Sequence, residues 1–323
     1  MHHGVQALVE AAENGDSLFP EFLDFSSFTN YLGCPRSWFF GQLMGMVPEE
    51  STPNTHLAFG KAWHRALEAG YLWLYHNGLP EDPYVLVEIS KREMDVAWWQ
   101  LQCDEYCDPP KTYQRGMNAL EVYWTTQYNR LRSTAIEAVE QSFAIPLAPY
   151  YPVLYGTIDL VARDRMGLYV QEHKTTGSFA QKWQEGWDNS WQCEAYASAV
   201  RAIYGEIPRI VVSGTLFQKT HGPQVKRLPF TKNQEQLDRF HQELRYKLDG
   251  FLADLSRLTH EAAHGKLQSA FPRNPHHCQS YRLCQYYDWC CDDVRPYQRE
   301  EPFAGMKWLP RCEKGVFAYI KKT

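Results

Sequence analysis

Hydrophobic and polar positions alternate most regularly between Tyr155 and Gly177, in YGTIDLVARDRMGLYVQEHKTTG. Ile158, Leu160 and Ala162 alternate there with Thr157, Asp159 and Val161. Asp164 to Gly167 has turn chemistry, and Leu168 to Glu172 resumes a β-rich run, so the stretch predicts a β-hairpin. Ala135 to Leu154 leads into it and predicts another strand, with Pro146, Pro149 and Pro152 confining pairing at its edges. Upstream the period is helical. Phe25 to Leu43 predicts an aromatic helical segment capped by Ser26 or Ser27, Pro48 to Pro53 a linker, and Leu57 to about Gly78 a helix. Two further helical segments fill 83–135 on either side of CDEYCDPPKT. Downstream, Phe179 to Tyr204 predicts one helix with Trp183, Trp187 and Trp191 every four residues, a stripe that reads as core rather than as a stacking platform. Residues 209–218 predict a strand, with 223–230 as its partner. Lys232 to Leu258 predicts a long helix whose alternating charge suggests a solvent-lined support.

At 323 residues and 44% hydrophobic content the chain can bury a sizeable core, as one large domain with insertions or as an α/β core with a helical annex. The net charge of -5 and pI near 6.2 count mildly against a protein that coats nucleic acid by charge alone, and leave open one that grips it locally. The 11 Trp, 20 Tyr and 16 Phe belong mostly to a core. The sequence has no long apolar run, and its polar start lacks a signal peptide's charged and apolar regions, so an intracellular protein is expected. No GxxxxGK[ST] motif occurs, which argues against ATP binding, and neither GxSxG nor HExxH is present. No internal repeat is evident.

The chemistry therefore falls to two groups of residues. Asp159 and Glu172 come together on adjacent strands of the predicted hairpin, and Lys174 emerges on the same side as Glu172 because strand side chains alternate. Two carboxylates and an ammonium converging there form a divalent-metal site with a charged helper; solvated surface charges are the plainer alternative. The second group is the nine cysteines, which in an intracellular protein need a use other than disulfides. Cys34 stands alone in LGCPRSWFF, while Cys278, Cys284 and Cys290 recur at Cys-x5-Cys-x5-Cys with Cys291 adjoining. Four thiolates gathered from both ends of the chain can bind zinc or an iron-sulfur cluster, and sulfur ligands alone do not distinguish the two. Cys103 and Cys107, Cys193 and Cys312 read as structural thiols. On the helix FGKAWHRALEAGY, His64 and Glu68 lie four apart and share a face.

GTIDLV, then QEHKTTG, then WQCEAY resembles the acid, acid-x-lysine and Gln-x-x-x-Tyr succession of the PD-(D/E)XK nuclease superfamily, specifically its RecB-like branch. FGKAWHRALE is similar to that branch's histidine motif at His64. CPRSWFF and FPRNPHHCQSYRLCQYYDWC resemble the two halves of the cysteine set in members with an iron-sulfur cluster, such as the CRISPR-adaptation nucleases and AddB-type nuclease domains. The first two of the three late cysteines are spaced more widely here than is common in those members, so Cys291 is a substitute candidate beside Cys278. The matched motifs span residues 34 to 290.

The resemblance implies an α/β, restriction-endonuclease-like core with a central mixed β-sheet flanked by helices. It divides the chain into an N-terminal helical segment over 1–56, a nuclease core over 57–258 with a helical insertion at about 83–135, and a cluster-binding segment over 259–323. His64, Asp159, Glu172 and the carbonyl of His173 would hold Mg2+ or Mn2+. Lys174 would orient the attacking water or stabilise phosphate charge, and Gln192 and Tyr196 would position Lys174 or the DNA backbone. Glu68 would support His64. Cys34, Cys278, Cys284 and Cys290 would hold a 4Fe-4S cluster, with zinc as the alternative. The implied activity is metal-dependent hydrolysis of DNA, as an exonuclease on single-stranded or end-containing DNA in recombination, repair or phage DNA metabolism. A non-catalytic DNA-binding or assembly subunit is the alternative. A helicase or recombinase partner and a cytoplasmic setting, in a bacterial or phage-infected cell, go with that reading.

Overall fold

The computed structural model describes residues 20–48, 55–103, 109–263, 270–278, 283–292 and 305–308, together with 10, 13, 14 and 302. Cys107, Cys312 and most of the Pro48 to Pro53 linker lie outside the described residues. The strands are β1 Phe22–Asp24, β2 Met46–Pro48, β3 Ala135–Ile145, β4 Val153–Asp164, β5 Gly167–Thr176, β6 Arg209–Leu216, β7 Gln224–Phe230 and β8 Met306–Trp308. Six of them form one sheet in the order β1-β4-β5-β6-β7, with β3 also pairing β4. β1 runs parallel to β4 and β5 parallel to β6, while β4–β5 and β6–β7 are antiparallel, so the sheet is mixed. β2 and β8 form a separate antiparallel pair.

The helices are α1 Phe25–Gly33, α2 Pro35–Trp38 running into a π-turn over Phe39–Leu43, α3 Thr55–Asn77, α4 Tyr84–Gln100, α5 Tyr113–Leu131, α6 Gln181–Gly186, α7 Trp191–Tyr204, α8 Gln234–Ala263 and α9 Tyr287–Asp292. No helix among the described residues is long and apolar enough to cross a membrane.

The central hairpin forms as its alternation predicts. Asp164 pairs with Gly167 across a two-residue turn, in which the Asp164 carboxylate accepts the Met166 amide at 2.8 Å and Gly167 takes a φ of 100°, open to glycine without strain. Three expectations change. The cap of α1 is Asp24, whose Oδ1 accepts the Ser27 amide at 2.8 Å, so Ser26 and Ser27 lie inside the helix. The single helix expected over Phe179 to Tyr204 is two, because the chain turns through Asp188 and Asn189 and restarts from an extended Ser190. α8 is not a solvated strut: Leu237, Phe240, Leu244, Leu248, Phe251, Leu255 and Leu258 recur every three or four residues and are buried.

The chain forms two compact units. One comprises 52–143 and 157–240. Its core packs Phe59, Trp63, Tyr71, Trp98, Tyr123 and Trp124 of α3, α4 and α5 with Leu160, Ala162, Tyr169 and Val211 of the sheet. A Cβ on Gly70 of α3 would lie 2.2 Å from the Trp124 ring, so that approach requires glycine. The other comprises 1–51, 144–156 and 241–323. In it Phe251 meets Tyr31 and Trp38 edge-on at 5.0 Å each, and Phe271 stacks on Trp38 and Phe39 at 5.6 and 5.3 Å.

Candidate active site

The first of these units carries Asp159, Glu172, Lys174, His64, Gln192 and Tyr196. Leu160 faces Gln171 across β4 and β5, which sets Asp159 and Glu172 on the next rung of the ladder. Glu172 is fully enclosed, with its Oε1 in an ion pair with Lys174 Nζ and its Oε2 2.9 Å from the Tyr196 hydroxyl. That hydroxyl also lies 3.0 Å from the Thr157 carbonyl and accepts from Gln192 Nε2 at 2.8 Å. Through these bonds Gln192 and Tyr196, four apart on α7, reach Glu172. Lys174 is steadied by the Trp187 ring, with Nζ 5.4 Å from its centroid.

Asp159 has both oxygens engaged as well. Oδ2 accepts the backbone amide of His173 at 2.7 Å, and Oδ1 lies 3.4 Å from His64 Nδ1. His173 therefore reaches the site through its main chain. Its imidazole points to the other face of β5, stacked on Tyr71 at 5.4 Å between centroids and 3.4 Å from the Tyr123 hydroxyl. Burial pulls that imidazole down to about 3 against the pull of Asp159, so it is neutral.

The charges around the carboxylates are tightly balanced. Burial alone would raise Asp159, but the His64 charge and hydrogen bond and the His173 amide hold it at about 2. Burial would lower His64, and Asp159 overrides this to bring it to about 9. Glu172 is pushed up by burial and by Asp159, against the pull of Lys174 and His64. Burial would lower Lys174, but the charge and hydrogen bond of Glu172 together with the charge of Asp159 raise it, so the ammonium keeps its proton.

A residue that sequence reasoning missed stands in the same electrostatic neighbourhood. Glu140 lies inside β3 with a φ of 50°, and burial followed by the charges of Asp159 and Glu68 pushes it up to about 7. No motif marks it, since three residues of AIEAVEQ alternate in either register and nothing in them announces a left-handed backbone. Glu68 on α3 is also raised, first by burial, and feels both Asp159 and His64.

Two carboxylates and an imidazole are hard and borderline donors of the kind that take Mg2+ or Mn2+. The Asp159 charge that pushes Glu172 up is a repulsion that a cation would relieve, so the donor chemistry fits. Among the described residues, however, no three His, Cys, Asp or Glu side chains stand in a ligating arrangement. All four carboxylate oxygens of Asp159 and Glu172 face protein donors.

In the other unit, Arg36 Nε donates to the Phe271 carbonyl at 2.8 Å and Asn274 Nδ2 to the Gly33 carbonyl at 2.9 Å. These bonds bring Cys34 to Asn274, whose amide lies 3.4 Å from its Sγ, while Cys278 Sγ lies 3.7 Å from the Asn274 carbonyl. Cys278 is raised by burial and then by Cys284, Cys34 and Cys291; Cys290 is raised by burial and held back by Arg36. The four expected thiols and Cys291 therefore share one neighbourhood as free cysteines. Cys103 and Cys193 are buried, in keeping with a structural role.

A family model described as the PD-(D/E)XK nuclease superfamily matches residues 23–291. A solved structure from Eubacterium rectale, described as that of a "Putative exonuclease", is 13% identical to this chain, covers 83% of it and 88% of its own length, and has a TM-score of 0.42. No curated protein matches the sequence.

Proposed function

The chain belongs to the PD-(D/E)XK nuclease superfamily, and from that premise we propose that it is a metal-dependent deoxyribonuclease acting as an exonuclease on single-stranded or end-containing DNA. The observation that carries this reading is the convergence of Asp159, Glu172 and a protonated Lys174 on neighbouring rungs of β4 and β5, with Tyr196 and His173 orienting the two carboxylates.

Members of the superfamily generally use Mg2+ or Mn2+, and here Asp159, Glu172 and His64 would hold the ion. When bound, such an ion polarises a phosphoryl oxygen and acidifies a coordinated water. Lys174, whose proton is secured by Glu172, presents a fixed positive charge to a phosphate that gains charge during hydrolysis. Tyr196 and Gln192 keep Glu172 in one rotamer, and the His173 amide does the same for Asp159. This preorganisation matters because a site that must reorient during the reaction loses most of its electrostatic advantage.

In the other unit Cys34, Cys278, Cys284 and Cys290 form the donor set for a 4Fe-4S cluster, with Cys291 the adjoining thiol and zinc the competing metal. The shared neighbourhood of these thiols supports that reading. The cluster segment would be residues 259–323 and the nuclease core residues 57–258, and a helicase or recombinase would be the partner in a cytoplasmic setting.

End-labelled DNA incubated with the purified protein and Mn2+ tests the activity. Stepwise shortening that disappears in Asp159→Ala and Lys174→Ala supports the enzyme. Binding of DNA without any cleavage would favour the assembly subunit. An anaerobically purified protein that is colourless and carries stoichiometric zinc would sink the iron-sulfur cluster.

A further inference from the structure

We propose that Phe179, Trp183 and Trp187 form a stacking platform for the unpaired bases of single-stranded DNA, set beside Lys174 and flanked by Lys226. The proposal rests on the nuclease reading and names the form of substrate that its site selects.

The tryptophans of this stretch part company in the structure. Trp191 opens α7 and packs edge-on against Phe240 at 5.6 Å. Phe179, Trp183 and Trp187 instead make a short aromatic ladder, the first pair tilted at 5.3 Å and the second edge-on at 6.0 Å between centroids, on and around α6, a helix with no buried residue. All three rings are half-buried and keep part of their surface in solvent. The ladder ends at the catalytic lysine, since Trp187 is the ring that Lys174 Nζ approaches.

Its seat is built into the sheet. Gly214 lies in β6, where glycine is otherwise unfavourable. A Cβ there would lie 2.5 Å from Trp183 Cη2 and 2.9 Å from Phe179 Cε1, so the missing side chain is what admits both rings. Gly214 is in register with Lys174 on one side and Lys226 on the other. Register partners project to the same face. The Trp183 indole therefore sits on that face between two lysines that are two strands, or about 10 Å, apart. Lys226 is exposed and donates to Gln184 Oε1 of α6 at 2.7 Å, and Lys182 on α6 is exposed too. The acids nearby have partners: Glu185 accepts from Gln181 Nε2 at 2.5 Å, and Asp188 lies 3.5 Å from Lys232 Nζ.

Aromatic faces alternating with ammonium groups match a single strand, whose bases offer open π-faces and whose phosphates carry the charge. A duplex keeps its bases stacked on one another, so it can use the lysines but not the rings. The platform thus favours unpaired DNA without reading its sequence.

The test uses the full chain carrying Asp159→Ala, which prevents cutting, and fluorescence anisotropy with three labelled probes of equal length. These are a single strand, its duplex, and a strand in which abasic sites replace the bases. The intact single strand should bind on the order of tenfold more tightly than the abasic one. Adding Trp183→Ala or Trp187→Ala should weaken the intact strand by about tenfold and change the other two probes by less than about twofold, with Trp187→Phe retaining most of the affinity. Equal binding of intact and abasic strands overturns the platform, and that comparison requires no ring variant to fold. Equal losses on all three probes in the tryptophan variants overturn it as well. Base-dependent binding in this assay, with no cleavage by the unsubstituted chain and Mn2+, would sink the nuclease reading and leave the platform standing; cleavage by the unsubstituted chain with base-independent binding would do the reverse.

Discussion

Around Asp159 and Glu172 all four carboxylate oxygens face a protein donor, and the donors come from one strand, β5, and two helices, α3 and α7. In the cysteine region the Asn274 main chain lies 3.4 Å from Cys34 Sγ and 3.7 Å from Cys278 Sγ, and Cys278 feels the charges of Cys284, Cys34 and Cys291. In the first region the chain itself balances the charge that burial would otherwise forbid. In the second, burial and the neighbouring thiols push Cys278 and Cys290 upward, with Arg36 holding Cys290 back, so these two thiols keep their protons. A site for a hard, exchangeable ion can be preorganised by hydrogen bonds, whereas a sulfur-bound group has to supply its own cohesion.

Breaking the first region directly should have the largest effect. Asp159→Ala is expected to lower cleavage by at least ~10³-fold with little change in DNA affinity, measured on end-labelled DNA with Mn2+. A similar loss of affinity would mean that Asp159 shapes the DNA surface and not the reaction. Cys34→Ser breaks the second region. It should remove absorbance near 400 nm and lower the midpoint of thermal unfolding by ~5–10 °C while single-turnover chemistry persists. If cleavage instead fell as far as in Asp159→Ala, the contrast between a reacting site and a stabilising one would collapse.

Smaller changes sharpen the contrast. Tyr196→Phe removes the hydroxyl that orients Glu172, and cleavage should fall about tenfold for a stability loss of ~1 kcal/mol. Glu140→Gln tests the missed carboxylate. Its pKa is raised from 4.5 to about 7, so the folded chain gives up stability as pH rises from 4.5 through 7. The variant should therefore unfold at a higher temperature at pH 8, by no more than about 1 kcal/mol after solvent screening, and match the parent at pH 4. The smallest effect is that of His64→Gln on the metal-free protein. His64 is raised from 6.5 to about 9, so its contribution is complete below 6.5 and is lost as pH rises through 9. Scanning calorimetry across that window should show a decline in the parent that is flatter in the variant.

Much of this site could be read before its geometry was known. Strict alternation placed Asp159, Glu172 and Lys174, because a strand's period of two leaves no freedom about which face a residue takes. The i, i+4 spacing of Gln192 and Tyr196 put them on one face of α7, though not against which partner. Glu140 escaped because its placement depends on a left-handed φ that a carboxylate side chain does not advertise. The Trp183, Trp187 and Trp191 stripe misled because a spacing of four implies one helix only if the helix continues, and the chain breaks at Asp188 to Ser190. α8 misled in the opposite sense: its charges stood out, and the buried leucine and phenylalanine face beneath them did not.

By itself, the sequence determined the local matters: the hairpin and its turn, the long helices and the central strands, and the residue types that can bind a hard cation or a soft one. These follow from side-chain alternation, turn chemistry and donor softness, all of which act over a few residues. Only the tertiary structure decided which charges meet. It turned Tyr196 to Glu172, laid Trp187 against Lys174, drew Glu140 into the field of Asp159, and seated Trp183 over Gly214. Each of those contacts joins elements far apart in the chain or hangs on one backbone angle, and burial sets its strength, which no stretch of sequence carries alone.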